Sequence, residues 1–175
     1  MKLLLCLIPI FIAGCQSATK VEDDQIKYST KILAHTPYRN SKMIPNKVLK
    51  ECNIGTPLSE SVKKYSSNYG IKVDRVESID KTDKGNYIKI EIVGTVSGNR
   101  WGPGVGLARR HAKMVTIEAA VFEDGKQVYK INRARKSGGG VFGGFKGTCS
   151  VLERTVNTLG NDVAKLLNKY LQRNK

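Results

Sequence analysis

The chain has 175 residues, and its 30 Lys and Arg against 15 Asp and Glu give a formal charge of +15 at neutral pH. A chain of this length suits one domain, and it can bury enough surface to fold without a metal or disulfide framework. The cations are spread along the sequence, so their excess indicates acidic partners but is equally consistent with a merely solvated surface.

An export signal is predicted for residues 1–14. They comprise one basic residue, Lys2, then an apolar run from Leu3 to Ile12, then two small residues. This is the layout of a secretory signal, and the apolar run is shorter than the roughly 20 residues needed to span a bilayer. We therefore expect this segment to be removed.

The tetrad Ile12-Ala13-Gly14-Cys15 closely resembles the lipobox of bacterial lipoproteins. In that family the cysteine thiol is acylated and the chain is cut just before it, so the resemblance implies a palmitate-type lipid anchor on Cys15. Aspartate at the next position often marks inner-membrane retention in enterobacterial lipoproteins, and its replacement by Gln16 favours the periplasmic face of the outer membrane. The alternative is an ordinary secretory signal with a chance cysteine.

The polar residues 15–26 predict a flexible tether, and residues 27–175 are expected to form one periplasmic domain. Residues 27–36 alternate loosely and predict a first strand. Residues 45–52 fit either a helical turn or a short extended piece, and the sequence leaves both open.

A first amphipathic helix is predicted to begin at Thr56. Thr56 suits the N-cap and Pro57 the first helical position, while Gly70 suits the stop. The apolar face expected between them comprises Leu58, Val62, Tyr65 and Tyr69.

Three β-rich segments follow, at residues 71–76, 87–96 and 114–122. The last two alternate apolar with polar residues, which is typical of half-buried strands. A hairpin is expected at the Asp124-Gly125 turn. A two-residue loop would pair Ile117 with Asn132, whereas a three-residue loop with a bulge would pair it with Ile131, and the apolar face favours the second.

A long C-terminal helix is predicted from the capping-box pattern of Ser150 and Glu153. Gly160 lies within it, and we expect close packing against the sheet to require its small size. Apolar residues recur at helical spacing at Leu152, Val156, Leu159, Val163, Leu167 and Tyr170. Together these segments predict an α+β fold with a mostly antiparallel sheet of four or five strands and two amphipathic helices on one face.

Four cysteines are present, and two of them belong to the signal and the anchor. Cys52 and Cys149 remain, and two thiols in an oxidising compartment are expected to form a disulfide. The alternative is a nucleophilic Cys149 at a helix N-terminus, with His111 as its base.

Two glycine-rich stretches, residues 97–112 and 137–148, interrupt the regular pattern. In an antiparallel meander both would emerge at one edge of the sheet, where basic and aromatic side chains would form an interaction site; the alternative is that the aromatic residues cap the core. The candidate binding residues are Arg100, Trp101, Arg109, Arg110, His111, Arg135, Lys136, Phe142, Phe145 and Lys146.

No catalytic, metal-binding or nucleotide-binding spacing occurs in the sequence, so we expect a non-enzymatic protein without a cofactor. Export and anchoring argue against a nucleic-acid partner. Residues 137–167 look similar to the ending of small uncharacterised proteobacterial lipoproteins, and the order of elements looks like periplasmic modules of the TolB amino-terminal type. We expect a binding or assembly module for another envelope protein; the alternative is a module that binds an anionic envelope polymer or lipid, such as peptidoglycan or lipopolysaccharide.

Overall fold

The computed structural model describes residues 26–80, 84–97, 113–137 and 147–174. Its five-stranded sheet has the order β2-β1-β3-β4-β5. The strands are β1 (Tyr28–Leu33), β2 (Ile71–Val76), β3 (Tyr87–Ser97), β4 (Lys113–Glu123) and β5 (Lys126–Ser137). The helices are α1 (Asn46–Glu51), α2 (Gly55–Ser67) and α3 (Thr148–Arg173), and a 3₁₀ turn covers Ser41–Met43.

The α+β fold is confirmed, and the long strands β3, β4 and β5 pair antiparallel as expected. The sequence did not indicate the position of β1, which lies between β2 and β3 and is parallel to both. Parallel neighbours cannot be joined by a tight hairpin, and the segment with α1 and α2 supplies the necessary crossover from β1 to β2. The ambiguous residues 45–52 contain helix α1, with Pro45 and Cys52 as its caps.

One face of the sheet carries the core. Ile88, Ile90 and Ile92 of β3 are buried, and the alternate residues of β4 match them. Helices α2 and α3 pack side by side over this face, and their predicted apolar stripes are buried at Leu58, Val62, Leu152, Val156, Leu159, Val163 and Leu167. The opposite face is open and carries the polar residues of the same alternation.

Both long helices begin earlier than their sequences indicated. α2 starts at Gly55, and Asn53 Oδ1 accepts from the Thr56 amide, so Thr56 is not the N-cap. α3 starts at Thr148 after Gly147, which places Ser150 inside the first turn, where its hydroxyl donates to the Gly147 carbonyl. The capping-box prediction is therefore wrong.

The hairpin between β4 and β5 combines features of both predicted turns. Asp124 and Gly125 have φ of 51° and 76° and form a two-residue loop between Glu123 and Lys126. A register shift next to Val121 then pairs Ile117 with Arg133, so both predicted pairings of Ile117 are wrong. The bulge restores the apolar face that the tight turn alone would have misaligned.

The predicted disulfide is confirmed. Cys52 at the end of α1 bonds Cys149 in the first turn of α3, with 5.1 Å between their Cα atoms. The two cysteines are 97 residues apart, and closing so long a loop stabilises the fold by up to about 4–5 kcal/mol in the chain-entropy model.

Gly160 allows a close contact, but with α2 rather than with the sheet. A Cβ built there would meet the Ser61 side chain and would lie 2.9 Å from both the Ser61 carbonyl carbon and the Val62 amide nitrogen. Beside this contact, the Ser61 hydroxyl donates to Asn157 Oδ1 at 2.5 Å. The helices touch because one of them lacks a side chain at the crossing.

We expect Gly160→Ala to destabilise the protein. Alanine favours a helix by about 1 kcal/mol, but overpacking against backbone costs up to about 3 kcal/mol, so a net loss of up to about 2 kcal/mol should appear in urea denaturation. Gly94→Ala is the matched control, because a Cβ there meets nothing within 4 Å. Equal stability of the two variants would contradict the close helix contact.

Candidate functional site

Most of the predicted binding residues lie outside the described part of the chain: Arg100, Trp101, Arg109, Arg110, His111, Phe142, Phe145 and Lys146. The described residues that flank them show where the two stretches leave the sheet. Ser97 is level with Lys113, and Lys113 is level with Ser137. Both glycine-rich stretches therefore adjoin the same end of the sheet, which we call the loop end.

The chain enters the domain at the other end. Tyr28 begins β1, and β1 runs parallel to β3, so both strands start at the end that carries the Asp124-Gly125 turn. We call this the entry end, because residues 15–26 lead into it. Strand β4 joins the two ends with 11 residues, which at about 3.3 Å per residue separates them by about 35 Å.

Arg135 and Lys136 are described, and they behave differently. Arg135 donates to both carboxylate oxygens of Asp162 in α3, at 2.5 and 2.7 Å. This hydrogen-bonded pair raises the pKa of the Arg135 guanidinium and fastens α3 to the sheet. Lys136 is exposed and has no acidic partner among the described residues. Arg135 therefore has a structural contact that the sequence did not indicate.

A charged cluster that sequence reasoning missed lies on the open face. Glu91 and Glu118 are directly opposite each other on β3 and β4, an arrangement that is unfavourable for two like charges. Arg39 lies between them, with its Nη2 2.8 Å from Glu91 and 2.7 Å from Glu118. Lys89 and Lys130 complete the cluster, at 3.2 Å from Glu91 and 3.0 Å from Glu118.

The backbone of residues 37–39 positions Arg39. The Arg39 amide donates to the Ile92 carbonyl, and the Ile92 amide donates to the Pro37 carbonyl. This short parallel bridge continues the alignment of β1 with β3. The alternation of Lys89 and Glu91 is visible in the sequence. The approach of Arg39 to them is not, because it depends on the pairing of β1 with β3, which the sequence did not indicate.

A cavity of about 320 Å³ lies beside this cluster. Ala120 is flanked in register by Lys89 and Lys130, and its small side chain leaves the space between the two ammonium groups. Phe122 lines one wall and stacks on Tyr87 with 4.5 Å between ring centroids. The open face thus has a shallow, mainly polar depression rather than a deep pocket.

The cluster favours ionised carboxylates. Hydrogen bonds from Arg39 and then Lys130 lower the pKa of Glu118 to about 2. Burial by itself would raise the pKa of Glu91, but the hydrogen bonds from Arg39 and Lys89 outweigh it and lower the pKa. The carboxylates in turn raise the pKa of Arg39, through hydrogen bonds that outweigh the effect of burial.

A second cavity, of about 250 Å³, lies at the entry end and is lined by Tyr28, Tyr69 and Tyr170 among others. The Tyr28 hydroxyl donates to Glu123 at 3.1 Å. Burial, followed by the Glu123 charge, raises the pKa of Tyr28. The three rings are partly buried and pack against the hydrophobic core.

Neither a metal site nor a membrane-spanning helix is present among the described residues. No group of three His, Cys, Asp or Glu side chains there could hold a metal ion, and no helix there is both long and apolar enough to cross a membrane. Cys149 is bonded to Cys52 in this structure, so it carries no thiolate for the alternative nucleophilic role.

No protein-family model and no curated protein matches the chain. Among solved structures, a Xanthomonas campestris protein of the DUF330 family model has a TM-score of 0.50 at 14% identity, over 85% of this chain and 87% of that one. A Caulobacter crescentus protein described as a lipoprotein gives 0.49 at 12% identity, over 87% and 96%. The PelC dodecamer of Paraburkholderia phytofirmans gives 0.43 at 11% identity, over 78% and 88%. The first likeness is one of fold alone, and the weaker two add nothing to it.

We expect Arg39→Met to raise the pKa of Glu118, because the variant removes the first donor to that carboxylate. In the wild type the pKa of Glu118 is lowered to about 2, so its ionised carboxylate stabilises the folded state at pH values above the unfolded pKa of about 4.3. This stabilisation is lost as the pH falls toward 2. The stability difference between wild type and variant should therefore shrink over that range, and NMR titration of the Glu118 side chain checks the pKa directly.

Arg75→Met is the matched control for this titration, because Arg75 pairs with Glu60 at 3.0 Å on the helix side of the sheet. It should leave the pKa of Glu118 unchanged. A wild-type pKa near 4.3 for Glu118 would contradict the cluster as described.

Proposed function

We propose that the protein is a lipid-anchored, non-enzymatic module of the bacterial cell envelope that binds or helps to assemble another envelope protein. The observation that carries this proposal is the separation of the two ends of the sheet. The tether enters at one end, and both glycine-rich stretches adjoin the other, about 35 Å away along β4.

The anchoring part of the proposal rests on residues 1–16, which lie outside the described residues. Their pattern supports export, acylation of Cys15 and the periplasmic face of the outer membrane. An anchor at Cys15 followed by 15–26 as a tether holds the entry end nearest the bilayer. The loop end is then free to meet a partner other than the anchoring membrane.

The binding part rests on the composition of the two stretches. Arginine and aromatic residues are enriched among the side chains that dominate protein interfaces, and here Arg100, Trp101, Arg109 and Arg110 fall in one stretch with Phe142 and Phe145 in the other. The paired registers at Ser97, Lys113 and Ser137 support a shared interface, because they bring the attachment points of both stretches together.

An anionic polymer or lipid such as peptidoglycan or lipopolysaccharide is the second candidate partner. The observation that favours it is the exposed Lys136 beside the loop end, together with the formal charge of +15. Binding driven by exposed charge weakens sharply between low and physiological salt, whereas an interface with a buried aromatic centre does not. Salt dependence therefore separates the two candidates.

The anchor is tested by Cys15→Ala. We expect the variant to lose incorporation of labelled palmitate and to leave the membrane fraction, while the domain keeps its mixed α and β circular dichroism. Cys6→Ala is the control, since Cys6 lies inside the predicted signal, and it should be labelled like the wild type. Labelling that persists without Cys15 would refute the anchor.

The binding site is tested by reversing Arg109 and Arg110 to Glu. Because exposed charges usually change stability by less than about 0.5 kcal/mol, the melting temperature should hardly move. Capture of the partner by cross-linking in intact cells should be lost. The matched control reverses the exposed Lys165 and Lys169 on the C-terminal half of α3 and should capture normally.

Two results would contradict this proposal. A large loss of stability with capture intact would make Arg109 and Arg110 structural. Capture of purified peptidoglycan or lipopolysaccharide that collapses at physiological salt, with no protein cross-linked, would favour the polymer-binding alternative.

A further inference from the structure

We propose that the free edge of β5 binds an acidic, extended segment of the partner protein, which joins the sheet as a sixth strand. This inference deepens the proposed function, and rests on it for the partner's being an envelope protein. The edge itself is described throughout its length.

Strand β5 is a long edge strand with a strand on only one side among the described residues. It has 12 residues and is last in the sheet order, whereas the other edge strand, β2, has six. Within the described residues β5 forms backbone pairs with β4 alone. An antiparallel edge strand directs alternate amide and carbonyl groups outward, so this side can accept a further strand.

The edge is regular and accessible over most of its length. The register shift lies near the turn, and from Tyr129 to Ser137 the pairing with β4 continues without interruption. Ile131 is the one fully buried residue of the strand, because α3 covers it from the core side. Apart from its pairing with β4, the only hydrogen bond to the backbone of this strand among the described residues comes from its own Arg133, whose Nη1 donates to the Asn132 carbonyl at 3.4 Å.

The charge of β5 is of one sign. The strand carries Lys126, Lys130, Arg133, Arg135 and Lys136 and no carboxylate. Lys130 and Arg135 are already paired, with Glu118 and Asp162. Lys126, Arg133 and Lys136 are exposed, and no salt bridge joins them to a described carboxylate, although Lys126 is level with Glu123 in the register.

This charge selects the occupant. Pairing β5 with the β5 of a second copy would set cations against cations with no acid to separate them, which is unfavourable at the short distance between opposite residues. Lysines on an edge strand protect proteins against such self-association. The same cations attract a segment rich in Asp and Glu. The positive charge of β5 therefore disfavours pairing with a second β5 and favours pairing with an acidic strand.

The segment needs carboxylates on both of its faces. Arg133 is level with the buried Ile117 and therefore lies on the helix side, whereas Lys136 is level with Met114 on the open side. Side chains of a strand alternate between faces, so acids that serve both cations lie at positions of opposite parity. A polyanion without a peptide backbone can neutralise these charges but cannot form the edge hydrogen bonds.

The test uses the lipidated mature protein, which begins at Cys15, in detergent, and a capped ten-residue peptide of Glu, Thr and Val with glutamates on both faces. Two further peptides carry N-methyl groups on alternate residues, one set on the even positions and the other on the odd. We expect the unmodified peptide to protect alternate β5 amides from hydrogen exchange. One N-methylated peptide should bind at least tenfold more weakly, and the other should bind like the parent.

A charge variant completes the test. Reversing Lys126, Arg133 and Lys136 to Glu should weaken peptide binding at least tenfold, and the control reversal of Lys63 and Lys64, exposed on α2, should not. Equal binding of both N-methylated peptides, or protection absent from β5, would overturn strand addition and indicate attraction by charge alone. Peptide protection of β5 with no protein captured in cells would support the edge while refuting the proposed function, and capture without protection would do the reverse.

Discussion

The parallel insertion of β1 between β2 and β3 is the constraint on which the rest of this structure depends. Parallel neighbours require a crossover, and the crossover holds α1 and α2 against the core face. Because β1 occupies the centre, β2 and β5 become the edges. The same placement aligns residues 37–39 with β3 and so delivers Arg39 to the open face.

The two faces of the sheet are held by different physics. On the helix side a continuous set of buried aliphatic residues packs under α2 and α3, which touch where Gly160 meets Ser61. On the open side the strands bring Glu91 and Glu118 together, and the fold compensates with Arg39 between them. Burial of apolar surface stabilises the helix side. On the open side, Arg39 offsets the repulsion between two carboxylates that the strand register places opposite each other.

The fold places a row of positive charges along one edge of the sheet. The chain enters at one end of the sheet, the glycine-rich stretches adjoin the other, and β5 runs between them with cations and no acid. Two of its cations have structural partners in Glu118 and Asp162. The other cations of β5 lie along this one edge of the sheet, which a formal charge of +15 could not reveal.

The sequence by itself determined the fold class, the strands of the hairpin region, the buried stripes of both long helices and the cysteine pair, because each depends on local periodicity or on the count of available thiols. Local patterns did not decide which strands flank β1 or where the bulge lies that pairs Ile117 with Arg133. They also did not decide which helix Gly160 contacts, or which carboxylates bind Arg39 and Arg135. Each of these joins segments far apart in the chain. A residue's periodicity fixes which way its side chain faces, but only the tertiary structure decides what stands opposite.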